Sequence, residues 1–182
     1  MHAQNKFIVM EGIMGSGKTT LAKMLAEKLN GVYYNTPTSF LEMRPVADKS
    51  LSLEARYYFY LSLNLQVSSE VRELLKEKPV ICDKYIWSTY CYHKILGLNL
   101  SCFPKLDIIM PDFCFLIFCE NGIRLERISK RDPANDFSKD FVRQEMERRC
   151  WEEFKRVLPD IMIDNSLDNP QNAFPKILTR IN

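Results

Sequence analysis

Glu11-Gly12-Ile13-Met14-Gly15-Ser16-Gly17-Lys18-Thr19-Thr20 is the stretch whose reading decides the fold. Residues 12–19 fit G-x-x-x-x-G-K-[ST] at every fixed position. A backbone that wraps a dense polyanion must turn several consecutive N–H groups inward, and glycine, lacking a Cβ, allows that curl. Lys18 then carries charge to the β- and γ-phosphates, and Thr19 offers a hydroxyl to magnesium. The flanks agree. Residues 6–11 are a short β-type run, and residues 18–29 place Leu21, Met24, Leu25 and Leu29 at helical spacing. The positive end of that helix adds to the loop's pull on an anion. An ordinary glycine-rich turn would explain the glycines but not Lys-Thr in register. ATP and Mg2+ are therefore the expected cofactors, cradled by Gly12, Ile13, Met14, Gly15, Ser16, Gly17, Lys18, Thr19 and Thr20.

Outward from this loop the chain alternates strand and helix. Strand-type runs lie at residues 6–11, 32–35, 80–83, 113–119 and 160–164, and helical patterns at 18–29, 53–76, 85–96, 123–130, 139–157 and 172–181. Gly31, Pro79 and Gly97 stand where helices should stop. The apolar run 113–119 suits a strand buried on both faces at the sheet's centre. This alternation predicts an α/β fold of the P-loop type, with three layers: a five-stranded parallel sheet, helices on both faces, and a small lid. No repeat or linker divides the 182 residues, so one domain is expected.

Composition narrows the partners. Hydrophobic residues at 46% and charged residues at 26% are ordinary for a folded soluble chain. With 25 Lys+Arg against 23 Asp+Glu, the charge is too balanced for a protein that coats nucleic acid. No apolar run approaches the roughly 20 residues of a membrane span, and residues 1–6 lack the apolar core of a signal peptide, so a cytoplasmic location is expected. The six cysteines form no C-x-x-C pair and only two histidines are present, which argues against zinc.

Two further clusters carry chemistry. Asp83-Lys84-Tyr85 ends the third strand, on the edge where open α/β sheets bind ligands. Asp83 is a candidate metal ligand with Thr19, or a base, and Lys84 a candidate for an acceptor phosphate; an Asp there could also simply cap the next helix. Arg124, Arg127 and Arg131 share a helical face before the polar segment 132–136, which reads as a lid over about 124–139 or as a solvated basic face. Lys18, Asp83, Arg127 and Arg131 are the expected catalytic residues. Arg143, Arg148 and Arg149 form a second basic set, read as mostly solvated. Among Tyr57, Tyr58, Phe59, Tyr60, Asn64 and Gln66, one or two should line an acceptor pocket, Tyr60 and Asn64 foremost.

Taken together these residues resemble a known family. Residues 11–20 resemble the loop of deoxynucleoside kinases, E-G-N-I-G-[SA]-G-K-S-T. Residues 80–89 are similar to the D-R-Y-x-x-S-T segment of thymidylate kinases, residues 125–131 to their lid, and Ile163-Asp164-Asn165-Ser166 to their adenine-side strand end, which implies Asn165 as a cofactor contact. Three positions depart from the pattern. Thr36-Pro37 stands where the family has Glu-Pro, Met14 where thymidylate kinases tend to carry an acidic residue, and Lys84 where D-R-Y has arginine. The resemblance implies ATP- and Mg-dependent phosphoryl transfer to a nucleoside monophosphate, thymidylate first. Two alternatives stay open: a deoxynucleoside or other small-molecule kinase acting on a hydroxyl with Asp83 as base, and a nucleotide-binding regulatory protein. The expected partner is a nucleotide or nucleoside acceptor, with a homodimer left open.

Overall fold

The computed structural model describes residues 5–35, 40, 42–133, 140–158, 161–167 and 169–181. At the centre of its sheet lies β1 (Phe7–Glu11), buried at every residue. Beside it run β3 (Val80–Asp83) and β4 (Phe113–Phe118), and the edges are β2 (Val32–Asn35) and β5 (Met162–Asp164). The order is β2-β3-β1-β4-β5, and all four pairings are parallel. The sheet's middle is thus β1 and not the apolar run 113–119. Phe113, Cys114 and Phe118 are only partly covered, because three-residue β5 pairs with β4 only from Leu116 to Phe118.

Period-two alternation along the strands builds two cores. Ile8, Met10, Ile81 and Ile117 point to one face and pack with Leu21 and Leu25 of α1 (Lys18–Lys28) and Ile177 of α7 (Phe174–Ile181). Phe7, Val9, Val80 and Leu116 point to the other. There they meet Val71 of α3 (Leu53–Leu74), Ile86 of α4 (Ile86–Ile95) and Phe154 of α6 (Phe141–Val157). Each such side chain contributes on the order of 1.5–3 kcal/mol on burial, so strand ends between two dry layers are firmly held.

Two helices complete the fold: α2 (Met43–Ser50) and α5 (Asn121–Arg131). The sequence pattern gives no sign of α2, because only Ala47 of its residues is buried and no apolar stripe forms. Pro45 is tolerated because it falls in the first turn, where the backbone N–H has no helical partner. A 3-10 turn at Pro170–Asn172 precedes the last helix, which therefore starts after the expected residue 172. The Thr36-Pro37 corner and lid residues 134–139 lie outside the described residues. Among the described residues no helix is long and apolar enough to cross a membrane.

After β1 the chain moves outward to β2, returns to β3, and then crosses β1 to reach β4. With every strand parallel, all carboxyl ends share one edge. The change of direction at β1 opens a crevice there, where ligands of such sheets bind.

Candidate active site

The loop from β1 to α1 ends at Gly17, with φ 93° and no side chain capping the helix. The first N–H groups of α1 therefore stay available to an anion, in contrast to α3 and α6, whose starts are capped by Ser52 and Asp140. Two glycines are needed for approach as well as for curl. A Cβ on Gly17 would lie 2.2 Å from Asn165 Nδ2, and one on Gly15 would lie 2.7 Å from Arg124 Cγ. Asn165 is buried and donates from Nδ2 to the Ser16 carbonyl at 2.9 Å, bracing the loop from the β5 side.

Lys18 folds back over its own loop, donating from Nζ to the Ile13 carbonyl at 2.8 Å. Burial, helped by the charge of Lys84, lowers its ammonium pKa to about 8. Thr19 donates its hydroxyl to Asp83 Oδ2, and Tyr33 of β2 reaches the same oxygen at 3.3 Å. Asp83 Oδ1 is buried with no hydrogen-bond partner among the described residues. One carboxylate oxygen without a donor beside a loop hydroxyl fits a hard cation. No cluster of three or more His, Cys, Asp or Glu that could hold a metal exists among the described residues. A magnesium ion here would thus take most of its ligands from water and phosphate, as that ion prefers.

Lys84 directly follows Asp83 and sits at φ 72°, a left-handed conformation rare for a side chain of its size. Its Nζ lies 5.8 Å from the centre of the Tyr92 ring, and it faces a cleft of about 490 Å³. Four cations (Arg44, Arg56, Lys84 and Arg143) line this cleft, together with Tyr60, Asn64, Thr89, Tyr92, His93 and Glu147. Tyr60 and Asn64 thus line this cleft, whereas Tyr57 is buried in the core and Tyr58 is exposed. Asn64 Nδ2 donates to Thr89 Oγ1 at 2.8 Å, so Thr89 keeps its own proton for another acceptor. His93 Nδ1 lies 2.8 Å from the Thr89 carbonyl and so carries the proton, while burial lowers the ring's pKa. From α2, Arg44 stacks 5.6 Å from the Tyr60 ring centre, and Asp48 accepts the Tyr60 hydroxyl at 3.0 Å.

A phosphate loop on one side of Asp83 and a basic cleft on the other is the layout of a phosphotransferase. The thymidylate kinase family profile matches residues 10–172 of this chain. The protein named "Probable thymidylate kinase" of Methanococcus aeolicus is 31% identical over 183 residues, covering 96% of this chain and 88% of its own length. The chain belongs to the thymidylate kinase family. It is accordingly an ATP-dependent phosphotransferase. A relative with the same name from Pyrococcus horikoshii is 28% identical, covering 96% of this chain and 95% of that one. In fold it is similar to the thymidylate kinase of Candida albicans, with TM-score 0.74 at 20% identity over 100% of this chain and 92% of that one. It is also similar to the deoxyadenosine kinase of M. mycoides, with TM-score 0.71 at 15% identity over 98% and 100%.

Within this thymidylate kinase family member, the arginine face of α5 divides into three. Arg124 is buried against the phosphate loop and donates to the Met14 carbonyl at 3.1 Å. Arg127 turns to the β5 end, donating to the carbonyls of Asn165 at 3.0 Å and Leu167 at 2.8 Å. Arg131 is exposed at the helix end, just before the undescribed segment. The structure therefore brings Arg124 to the loop itself, and Arg127 to the strand end beside Asn165.

Two carboxylates of the site escape sequence reasoning. Glu11 is fully buried; its Oε1 accepts from the Tyr85 and Ser88 amides at 2.8 and 3.2 Å and its Oε2 from the Ser88 hydroxyl at 2.5 Å. It thereby caps α4 from another strand. Burial raises its pKa to about 7 against the pull of those donors. An acidic residue ending a wholly apolar strand is the one signal that marks it. Glu147 lies in a helix dense in charge, where nothing local distinguishes it. It is nevertheless buried, and accepts from the Met14 amide at 3.1 Å.

Proposed function

We propose that the chain transfers the γ-phosphoryl group of ATP to the phosphate of a nucleoside monophosphate, with thymidylate the first choice. The reading is carried by the contiguity of Thr19, Asp83 and Lys84. The loop hydroxyl meets Asp83, and the next residue heads the cleft that holds Tyr60 and Asn64. Donor and acceptor ends thus share a border. An oxygen of the acceptor phosphate attacks the γ-phosphorus, and the bond to the β-bridging oxygen breaks, leaving ADP and a nucleoside diphosphate. That oxygen is already ionised near neutral pH, so no base is required. This suits a chain with Thr36-Pro37 in place of Glu-Pro.

In this reading residues 12–20 cradle the phosphates, and Lys18 meets charge developing on the transferred group. Thr19 and Asp83 would hold magnesium, which when bound offsets charge on the β- and γ-oxygens. Lys84 takes the acceptor phosphate as a point charge, without the two-pronged bond of an arginine. Tyr60 and Asn64 face the base, Asn165 the adenine side, and Arg127 and Arg131 close over the phosphoryl group. The test is ADP formation from ATP against a panel of nucleosides and nucleoside monophosphates. Turnover with thymidylate and none with thymidine is expected. Turnover with nucleosides alone would make Asp83 a base for a hydroxyl, and slow hydrolysis indifferent to every acceptor would favour a regulatory protein.

A further inference from the structure

Three side chains from three elements meet at the carboxyl edge of the sheet: Thr19 of α1, Tyr33 of β2 and Asp83 of β3. Thr19 belongs there by motif and Asp83 by its strand end, but Tyr33 is only one of two tyrosines in an edge strand. Strand pairing explains its arrival. β2 runs parallel to β3 with Tyr33 opposite Ile81 and Asn35 opposite Asp83. Because side chains alternate, Tyr33 shares one face with Ile81 and Asp83. Its long side chain spans the offset of two residues and brings the hydroxyl 3.3 Å from Asp83 Oδ2, to which it donates. The ring packs against the α1-side core, and Lys23 of α1 lies over it with Nζ 5.3 Å from the ring centre. We infer that Tyr33 is a positioning residue for phosphoryl transfer, whose hydroxyl fixes the rotation of the Asp83 carboxylate and leaves Oδ1 to a magnesium ion.

This rests on the reading of Thr19 and Asp83 as the magnesium end. The torsion that turns an aspartate carboxyl group lies in a broad well, so a single flexible donor leaves it room to swing. Two hydroxyls from different elements on the same oxygen remove that room, and both stand on Oδ2. Thr19 alone is a poor anchor, because its own oxygen is wanted by the cation. A phenol stays protonated below about pH 10, and this one is placed by its strand and by Lys23. A carboxylate held in advance has less freedom to lose when the cation arrives. The rival role is packing alone, with the ring filling the sheet edge and the hydroxyl incidental.

The two roles separate by calorimetric titration of ATP, without any acceptor, in magnesium and in excess chelator. Magnesium should tighten ATP binding to the wild type. Tyr33→Phe keeps the ring and removes the hydroxyl; it should cut that gain about threefold to tenfold and leave affinity in chelator unchanged. In turnover, half-saturating magnesium should rise by a similar factor, while kcat at saturating magnesium and the acceptor KM stay near wild type. Adding Tyr33→Phe to Asp83→Asn should change the gain little further, because Tyr33 acts through that carboxylate. Tyr33→Ile also lacks the hydroxyl and is at home in a strand, so it gives the same reading if the first variant fails to fold. An undiminished gain in a folded variant, an equal loss in magnesium and chelator, or a full effect in the Asp83→Asn background would overturn the inference. A wild type whose ATP affinity ignores magnesium would overturn the metal reading itself, and this inference with it.

Discussion

Thr19 and Asp83, 64 positions apart, are joined by a hydrogen bond from the Thr19 hydroxyl to Asp83 Oδ2, while Asp83 Oδ1 is buried with no partner among the described residues. A carboxylate tethered at one oxygen and bare at the other is prepared for a cation. Asp83→Asn keeps the shape and an oxygen for Thr19 but removes the charge. It should lower kcat roughly 10²–10³-fold and raise the magnesium concentration needed for half-maximal rate. A magnesium titration that superimposes on the wild type would take Asp83 out of metal binding.

Lys18 titrates near pH 8 because burial disfavours its charge. A triphosphate restores that charge, so ATP binding near pH 8 should take up protons. Affinity should fall as pH rises through 8, by at most about tenfold per unit. Calorimetry in two buffers of different ionisation enthalpy measures the uptake, which Lys18→Met should abolish along with turnover. Identical uptake in the variant would assign the proton to another group.

At Lys84 stability and function should move in opposite directions. Its φ of 72° costs about 1–2 kcal/mol in a residue with a Cβ, which glycine avoids at some entropic cost of its own. Lys84→Gly should therefore leave thermal stability equal or higher while raising the acceptor KM roughly tenfold to hundredfold. Lys84→Ala should show the same KM defect without the gain, and Lys84→Arg should retain most activity. An unchanged acceptor KM in Lys84→Ala would show that the acceptor phosphate is held elsewhere.

Glu11 makes stability depend on pH in a defined direction. Its folded pKa of about 7 lies above the ordinary 4.5, so between those values the folded chain holds a proton that the unfolded chain has released. The contribution is complete below about pH 4.5 and is lost as pH rises through 7, at most about 3 kcal/mol in all. Denaturant melts of wild type and Glu11→Gln across pH 4.5–8 should therefore diverge, with the wild type losing ground as pH rises. Parallel curves would mean that Glu11 is ionised throughout.

The elements legible in the sequence are those with local causes. All five strands are found within about two residues of their expected bounds, because alternation and breakers act over a few positions. α2 was not legible, since its exposed residues carry no apolar stripe. With α2 went Arg44 and Asp48, which frame Tyr60. The arginine spacing on α5 correctly puts three cations on one helix, but their separate destinations depend on neighbours from β5 and the loop.

Sequence alone determined the phosphate end of this protein. A phosphate is gripped by consecutive backbone N–H groups, so the ten residues 11–20 contain both the geometry and the chemistry, and need only a strand before and a helix after. Of the basic cleft beside Lys84, the sequence offered Lys84, Tyr60 and Asn64, and tertiary structure decided the rest. Its walls come from α2, α3, α4, α6 and the loop itself, and a side chain there acquires its role from partners far away in the chain. Glu147 is one of many charged residues in α6 until the parallel sheet and two packed cores carry it to Met14 and Tyr92. Burial then makes those donors necessary to a carboxylate cut off from water, and no spacing along α6 encodes that.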